Sequence, residues 1–574
     1  MGIRLKGIYI AMLIAIFAFY HVLKVGTNFN LQNIISTNIF GNAIKPKDYN
    51  SVSGGYLAGF YSASKDKYNT AANYFYKSGI KKTDDPALLE ESINLFLISG
   101  QFDKAFKLAH QIIEVNPESS IANFILAIED INFANYEDAQ ERLKHFGGTS
   151  YDNNLYQLIR AWIKYGQGEY SAAKAILDGM SYHRRMGLLS MWHTALIADL
   201  SDNSYEAELI YKEFSKDVRN IPYSLIQTIV DFYYRQGKGH IADKLLRDYE
   251  QQVDTTNIED KLYYRPVTNT QEGIAHILFG ASSIILDDDN NDKSISLLRL
   301  AQYLDPNHDE IKFLNSLLLQ KIGNYKESIE LLSTINLGSK LYPRAIENMA
   351  TIFRRMGDYK RSEEILKRMI SNDINALDAY INLGDLYKSP YSRQYDKAAQ
   401  AYTNALEIFD SKKRRNNYKW SILFSRGISY ERLDKWPQAE ADFKEALSMA
   451  PNHPDILNYL AYSWVDKGIN LEEAKKMLLI AHSLRPISPH ITDSLGWVYH
   501  KLGDNKKAAL LLEKAASMLP YDSMINFHLA IVYKNSGRLM EAKYLLQRAY
   551  DNTNKDALKQ QISLHLQKLQ LDIE

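Results

Sequence analysis

Residues 491–520 read ITDSLGWVYHKLGDNKKAALLLEKAASMLP, and this stretch decides the fold. Leu495, Gly496, Tyr499, Gly503, Ala508, Leu512, Ala515 and Pro520 stand in it at spacings that recur elsewhere in the chain. The slot of Ala508 is the most regular. It is filled in turn by Ala71, Ala105, Ala139, Ala173, Ala207, Ala242, Ser294, Ser328, Ser362, Ala398, Ala439, Ala474, Ala508 and Ala542. Eight of the thirteen intervals are 34 residues and two are 35; the exceptions are 36, 41 and 52. Self-similarity at such a period marks a stacked-repeat architecture. Each repeat is too small to bury its own apolar face, so neighbours share one core.

The slots have physical reasons. Gly384, Gly427 and Gly496 on a first helix, and the Ala/Ser series on a second, leave no bulk where two helices of a hairpin cross. Gly503 and Gly537 suit a tight turn between them, where a left-handed backbone is cheap only for glycine. Pro451, Pro486 and Pro520 stop one unit before the next begins. Around Ala139 and Ala173 the Gly and Pro slots are expected to be largely lost.

These spacings resemble the tetratricopeptide repeat, whose pattern is W-x2-L-G-x2-Y, then Ala, then x3-Phe, then Pro. The likeness covers about residues 55–550 and implies an all-α superhelical solenoid. More narrowly, YLAGFYSASKDKYNTAANYF, LNYLAYSWVDKGINLEEA and DSLGWVYHKLGDNKKAALLLEKA resemble exported repeat proteins of alphaproteobacteria, which implies an envelope location. The resemblance also implies that the first helix of each unit lines an inner groove. Residues flanking the core slots then face inward: Arg354 and Arg355; Asp378 and Asp385; Asn458 and Tyr462; Asp493, Trp497 and His500; Phe527 and Lys534. Tyr462, Trp497 and Phe527 form an aromatic series suited to an extended peptide or short helix. The competing expectation places Trp497 and Phe527 in the core between units.

Working outward, the chain divides into six parts. Residues 1–24 carry Arg4 and Lys6 before an apolar run, Gly7–Leu23, and read as a signal anchor or a cleaved signal peptide. Residues 25–50 are an Asn-rich tether, 51–250 a divergent array, 251–275 a loop insert, and 276–550 a regular array. Residues 551–574 are a capping helix with Leu558, Ile562, Leu566 and Leu569 on one face. The expected location is the inner membrane with a periplasmic array, or the periplasm if the leader is removed.

Composition narrows the function classes. Lys+Arg and Asp+Glu both number 68, without the basic excess of a nucleic-acid binder, and no cysteine is present to ligate zinc or form a disulfide. No metalloprotease, P-loop, nucleophile-elbow or dinucleotide motif occurs. Asp287, Asp289 and Asn291 match the first slots of a calcium loop, but Asp292 and Leu298 fail its Gly and Glu slots. Ser494 and His500 lie six apart on one helix and do not make a triad with Asp493. Lys412, Lys413, Arg414, Arg415 and Lys419 form a basic loop. The reading is a non-enzymatic protein-interaction scaffold without cofactor or metal; its rival is a glycan-binding accessory subunit of an envelope polysaccharide system.

Overall fold

In a computed structural model, residues 52–65, 68–77, 86–146, 150–180, 187–218, 221, 223–252, 267–286, 291–339, 341–411 and 418–573 are described. The leader, the tether, the basic run 412–415 and the Asp287–Asp289 turn lie outside them. Among the described residues there are 29 α-helices and no strand, pairing as fourteen hairpins and a final single helix. The all-α solenoid expected from the 34-residue period is therefore what the chain forms. Residues 1–92 and 93–574 make two units; the first carries the hairpin Val52–Ala63/Tyr68–Lys77.

Every one of the fourteen small slots is sealed, with Ser294 and Ser362 at 1% exposure and the rest at 0%. At two of the three serine slots the hydroxyl bonds across the crossing: Ser294 donates to the Ser282 carbonyl at 2.7 Å and Ser328 to that of Ser316 at 2.9 Å. The glycines of the first helices face the bulk four residues further along the second. A Cβ on Gly384 would lie 2.6 Å from the Tyr402 ring, one on Gly427 2.6 Å from Phe443, and one on Gly496 2.7 Å from Leu512. Large and small thus interlock in both directions.

The two helices of a unit have different burial. Pro489–Lys501 buries Ile491 through Val498 without a gap, whereas its partner Asn505–Met518 buries only Ala508, Leu512, Ala515 and Ala516. The first helices Pro454–Lys467 and Ser523–Asn535 are likewise more enclosed than their partners, whereas Tyr342–Arg355 and Lys419–Arg432 bury only four residues each. Asp556–Ile573 closes the stack with Leu558, Ile562 and Leu569 buried and Leu566 packed beside them.

Five residues before most small slots the backbone turns left-handed. Gly100, Gly237, Gly323, Gly357, Gly503 and Gly537 fill this place, but so do Ala134 at φ 59°, Asp202, Arg393 and Asp434. Gly168 supplies it for the Ala173 unit at φ 79°. The expected loss of the turn slot is corrected here: Gly168 keeps it outright, and at Ala134 the conformation survives without the glycine, because the geometry of the hairpin demands it.

The stack is not sequential throughout. The helix Gly239–Gln252 runs to 252 and the next begins at Thr270, so the insert is shorter than residues 251–275. The hairpin Thr270–Leu286/Asn291–Leu304 then packs on the inner helices Ser120–Asn132, Ser150–Gly166 and Gly187–Leu200. Arg299, 2% exposed, donates to the carbonyl of Ile98 at 3.1 and 3.3 Å and pairs with Glu327 at 2.7 Å. His276 sits against His193, Nδ1 to Nε2 at 3.1 Å, while Trp162 Nε1 donates to His193 Nδ1 at 3.0 Å. The expectation of one core built only from sequence neighbours is thereby corrected. Past residue 252 the chain crosses back and covers the inner face of the first array.

Two predictions follow from this packing. Ala508→Leu drives bulk into a sealed crossing and costs about 1–3 kcal/mol, whereas Ala134→Gly relieves a left-handed alanine and gains about 0.5–1 kcal/mol; urea melts of both variants check the opposite signs. The second concerns pH. Burial, then the neighbouring His276, pushes the His193 imidazole well down. Burial, then His308, takes His276 to about 3 from an ordinary 6.5. Both rings are neutral in the fold, so their contribution is fully present above pH 6.5 and falls as acid protonates the unfolded chain preferentially, down towards pH 3. Thermal melts from pH 7.5 to 5 are expected to show a steeper acid loss in the wild type than in His276→Gln.

Candidate functional site

Inner helices of the last units enclose a groove of about 800 Å³. Its walls come from Lys419–Arg432, Pro454–Lys467, Pro489–Lys501, Ser523–Asn535 and Asp556–Ile573. Asn458, Tyr462, Asp493, Trp497, His500 and Phe527 all line it, so the structure gathers six of the eight residues singled out in the sequence. Two lie elsewhere. Arg354 lies in the last turn of the helix Tyr342–Arg355, two hairpins before the first wall of the groove, and acts on Tyr402 of the next hairpin. Lys534 stands beside His565, at the groove's edge rather than in its lining.

Trp497 is the centre of the site. It is 7% exposed and belongs to the core between units, while its edge faces the groove. Its indole stacks on His528 at 4.1 Å and 14°, and on His500 at 4.8 Å and 24°. The Lys501 ammonium lies 5.0 Å from its centroid. An electron-rich face between two imidazoles and a cation is a favourable arrangement. Trp497 is thus a core residue between units, as one expectation had it, and its ring also lines the groove.

The polar groups are partly committed. Asp493 and His528 are buried as a pair, with both carboxylate oxygens 3.0 Å from Nδ1. His500 Nδ1 bonds Asn505 Oδ1 at 2.7 Å; burial, the larger effect, lowers its affinity for a proton, as do Lys501 and His528. Burial, with Asp466 and Asp493 adding to it, pushes the Tyr462 phenol up, so it stays a neutral donor. Three buried atoms have no hydrogen-bond partner: Trp497 Nε1, Asn458 Oδ1 and His565 Nδ1. Their residues all line the groove. Unpaired buried polar atoms are costly, and here a donor and an acceptor are both left over.

Ser494 donates to the His490 carbonyl at 2.9 Å and His500 Nδ1 lies 2.7 Å from Asn505 Oδ1, so these two do not meet as nucleophile and base. Among the described residues no group of three or more His, Cys, Asp or Glu is placed to hold a metal.

Reading slots from the sequence missed His528 and His565, and misaligned one aromatic. Counted from the small residues Ala461, Gly496 and Ala530, Tyr462 and Trp497 share a slot whose third member is Ile531. Phe527 belongs to the slot of Asn458 and Asp493. His528 follows directly, and its signal was the polar partner waiting at Asp493. Lys419, the described member of the basic run, pairs with Asp410 at 2.8 Å.

Comparison with known proteins agrees with this architecture. Tetratricopeptide-repeat models match residues 424–489 and 493–520. A tetratricopeptide-repeat protein of Pseudomonas aeruginosa is 29% identical over 136 residues, 24% of this chain and 22% of the relative. Another from Methanocaldococcus jannaschii is 23% identical over 449 residues, covering 68% of this chain and 75% of its own length. A solved tetratricopeptide-repeat protein from Parabacteroides merdae aligns with 45% of this chain and 98% of its own, at 20% identity and a TM-score of 0.36. The match to the Pseudomonas relative thus spans about a fifth of that protein. The chain carries tetratricopeptide repeats, and proteins built from them mediate protein–protein interaction.

Truncating Trp497 removes a buried ring and leaves His500 and His528 without their stacking partner. Trp497→Ala is therefore expected to cost about 3–5 kcal/mol. Denaturant titration checks this, with a loss under 1 kcal/mol placing the indole outside the core.

Proposed function

We propose that this chain is a non-enzymatic scaffold that holds a segment of a partner protein in the groove around Trp497. The observation that carries the reading is the unpaired donor and acceptor, Trp497 Nε1 and Asn458 Oδ1, in an aromatic-lined groove. A bound protein segment can offer both complements, an oxygen to accept and an N–H to donate, from its side chains or from free backbone amides. Exposed Leu564, at 51%, adds apolar surface at the mouth.

The reading includes a place in the cell. Arg4 and Lys6 ahead of the uncharged run Gly7–Leu23 support an anchored or exported chain with the repeats on the periplasmic side of the inner membrane. Among the described residues no helix is long and apolar enough to cross a membrane, and that run lies outside them. A cytoplasm-only reporter fused after residue 50 is expected to be silent; strong activity reverses the topology.

The groove is tested by a photoreactive amino acid placed at Leu564, with exposed Leu510 on the outer layer as the comparison. In intact cells one defined protein is expected to be captured from Leu564 and not from Leu510. Equal capture from both positions, or none from Leu564, counts against the groove.

A further inference from the structure

The inner face of the first array has an occupant, the helix Thr270–Leu286 of the same chain. A Cβ on its Gly273 would lie 2.5 Å from the Trp162 indole, and one on Gly280 2.7 Å from Leu189 Cδ1. Only a residue with no side chain lets the helix backbone come so close. Between them His276 reaches His193 at 3.1 Å and sets its ring 4.3 Å from Trp192. Residues at 273, 276 and 280 share one helix face. The occupant is recognised by two small residues seven apart with a polar side chain between.

The groove around Trp497 repeats the receiving surface. Trp162, Trp192 and His193 each have a counterpart 335 residues on: Trp497, Phe527 and His528. The slots agree as well as the offset. Trp162 and Trp497 directly follow the small residues Ala161 and Gly496; His193 and His528 stand two before Ala195 and Ala530. Leu189, which receives Gly280, corresponds to Met524, and Met524 lines the groove.

The second surface differs from the first at two of these places. Trp162 spends its N–H on His193, whereas His528 Nδ1 is held by Asp493, which leaves Trp497 Nε1 unpaired. Gly166, against which Thr270 packs, is replaced by Lys501. A cation beside the start of a bound helix is complemented by acidic residues in that helix's first turn.

We infer that the groove around Trp497 receives an α-helix of a partner protein that presents two glycines seven residues apart, a hydrogen-bonding side chain between them, and an acidic first turn. This rests on the reading of the groove as a partner site and specifies what enters it. The chain's own docked helix is the template, because it shows which helix face these slots accept.

The test uses a fluorescein-labelled synthetic peptide of residues 268–286, titrated into the full chain. Saturable binding with a gain of helical circular dichroism is expected. Gly273→Leu with Gly280→Leu in the peptide weakens it by about tenfold or more, equivalent to ~1.4 kcal/mol. Leu564→Arg in the protein, a change at an exposed position, does the same and separates this groove from the already occupied inner face of the first array. Equal binding of the leucine peptide, or binding that ignores Leu564→Arg, overturns the inference. If the leucine peptide binds equally and Leu564 still captures a defined protein in cells, the groove remains a partner site without this helix preference. If neither peptide binds and Leu564 captures nothing, both readings fall.

Discussion

The structure depends on one steric constraint, the crossing of two helices at a residue with almost no side chain. Fourteen such crossings, at Ala or Ser, are sealed from solvent. Close approach at that point lets Tyr402, Phe443 and Leu512 lie against Gly384, Gly427 and Gly496. It also forces the reversal between the helices into a short left-handed turn, which is why Ala134, Asp202 and Asp434 adopt it without being glycine. The hairpin is rigid because each of these demands supports the others.

Stacking such hairpins produces an unequal pair of layers. Outer helices need only a stripe of Ala and Leu towards the inner layer. Inner helices are packed on both flanks, yet one side still faces the concave space, and that side carries aromatic and imidazole rings. An apolar inner face of this kind asks to be covered. In the first array the chain covers it with its own hairpin 270–304. In the last units the groove keeps an unpaired indole N–H and an unpaired amide oxygen, and the occupied face keeps Trp192 Nε1 unpaired as well. The two faces are built from the same slots, and in one of them a helix of the chain is already seated.

Much of this was legible in the sequence, and the reasons are local. The 34-residue ladder reports a contact inside each unit, so it fixes hairpins, their number and the cap without any long-range information. The groove was legible in part, since residues beside a core slot on an inner helix must point inward; that placed Asn458, Tyr462, Asp493, Trp497, His500 and Phe527. Arg354 obeys the same rule but sits two hairpins before the groove, and which successive units share one groove is not written in any one of them. The return of hairpin 270–304 was hidden for a similar reason. Its partners, Trp162, His193 and Ile98, are about 80 to 200 residues away, and a core contact between non-neighbours leaves no period. The trace it did leave is the repeated Trp-to-His spacing of 31 residues, 162 to 193 and 497 to 528.

The central claim is that inner faces of this stack hold helices through a small residue set on a tryptophan, one such face being filled by the chain itself. Hydrogen–deuterium exchange on the full chain, wild type against Gly273→Leu, tests it most directly. The account predicts faster exchange in the inner helices 150–166 and 187–200 and in 270–286, with helices 419–535 unchanged. Unaltered protection of 150–166 and 187–200 in a Gly273→Leu protein that still folds would contradict it.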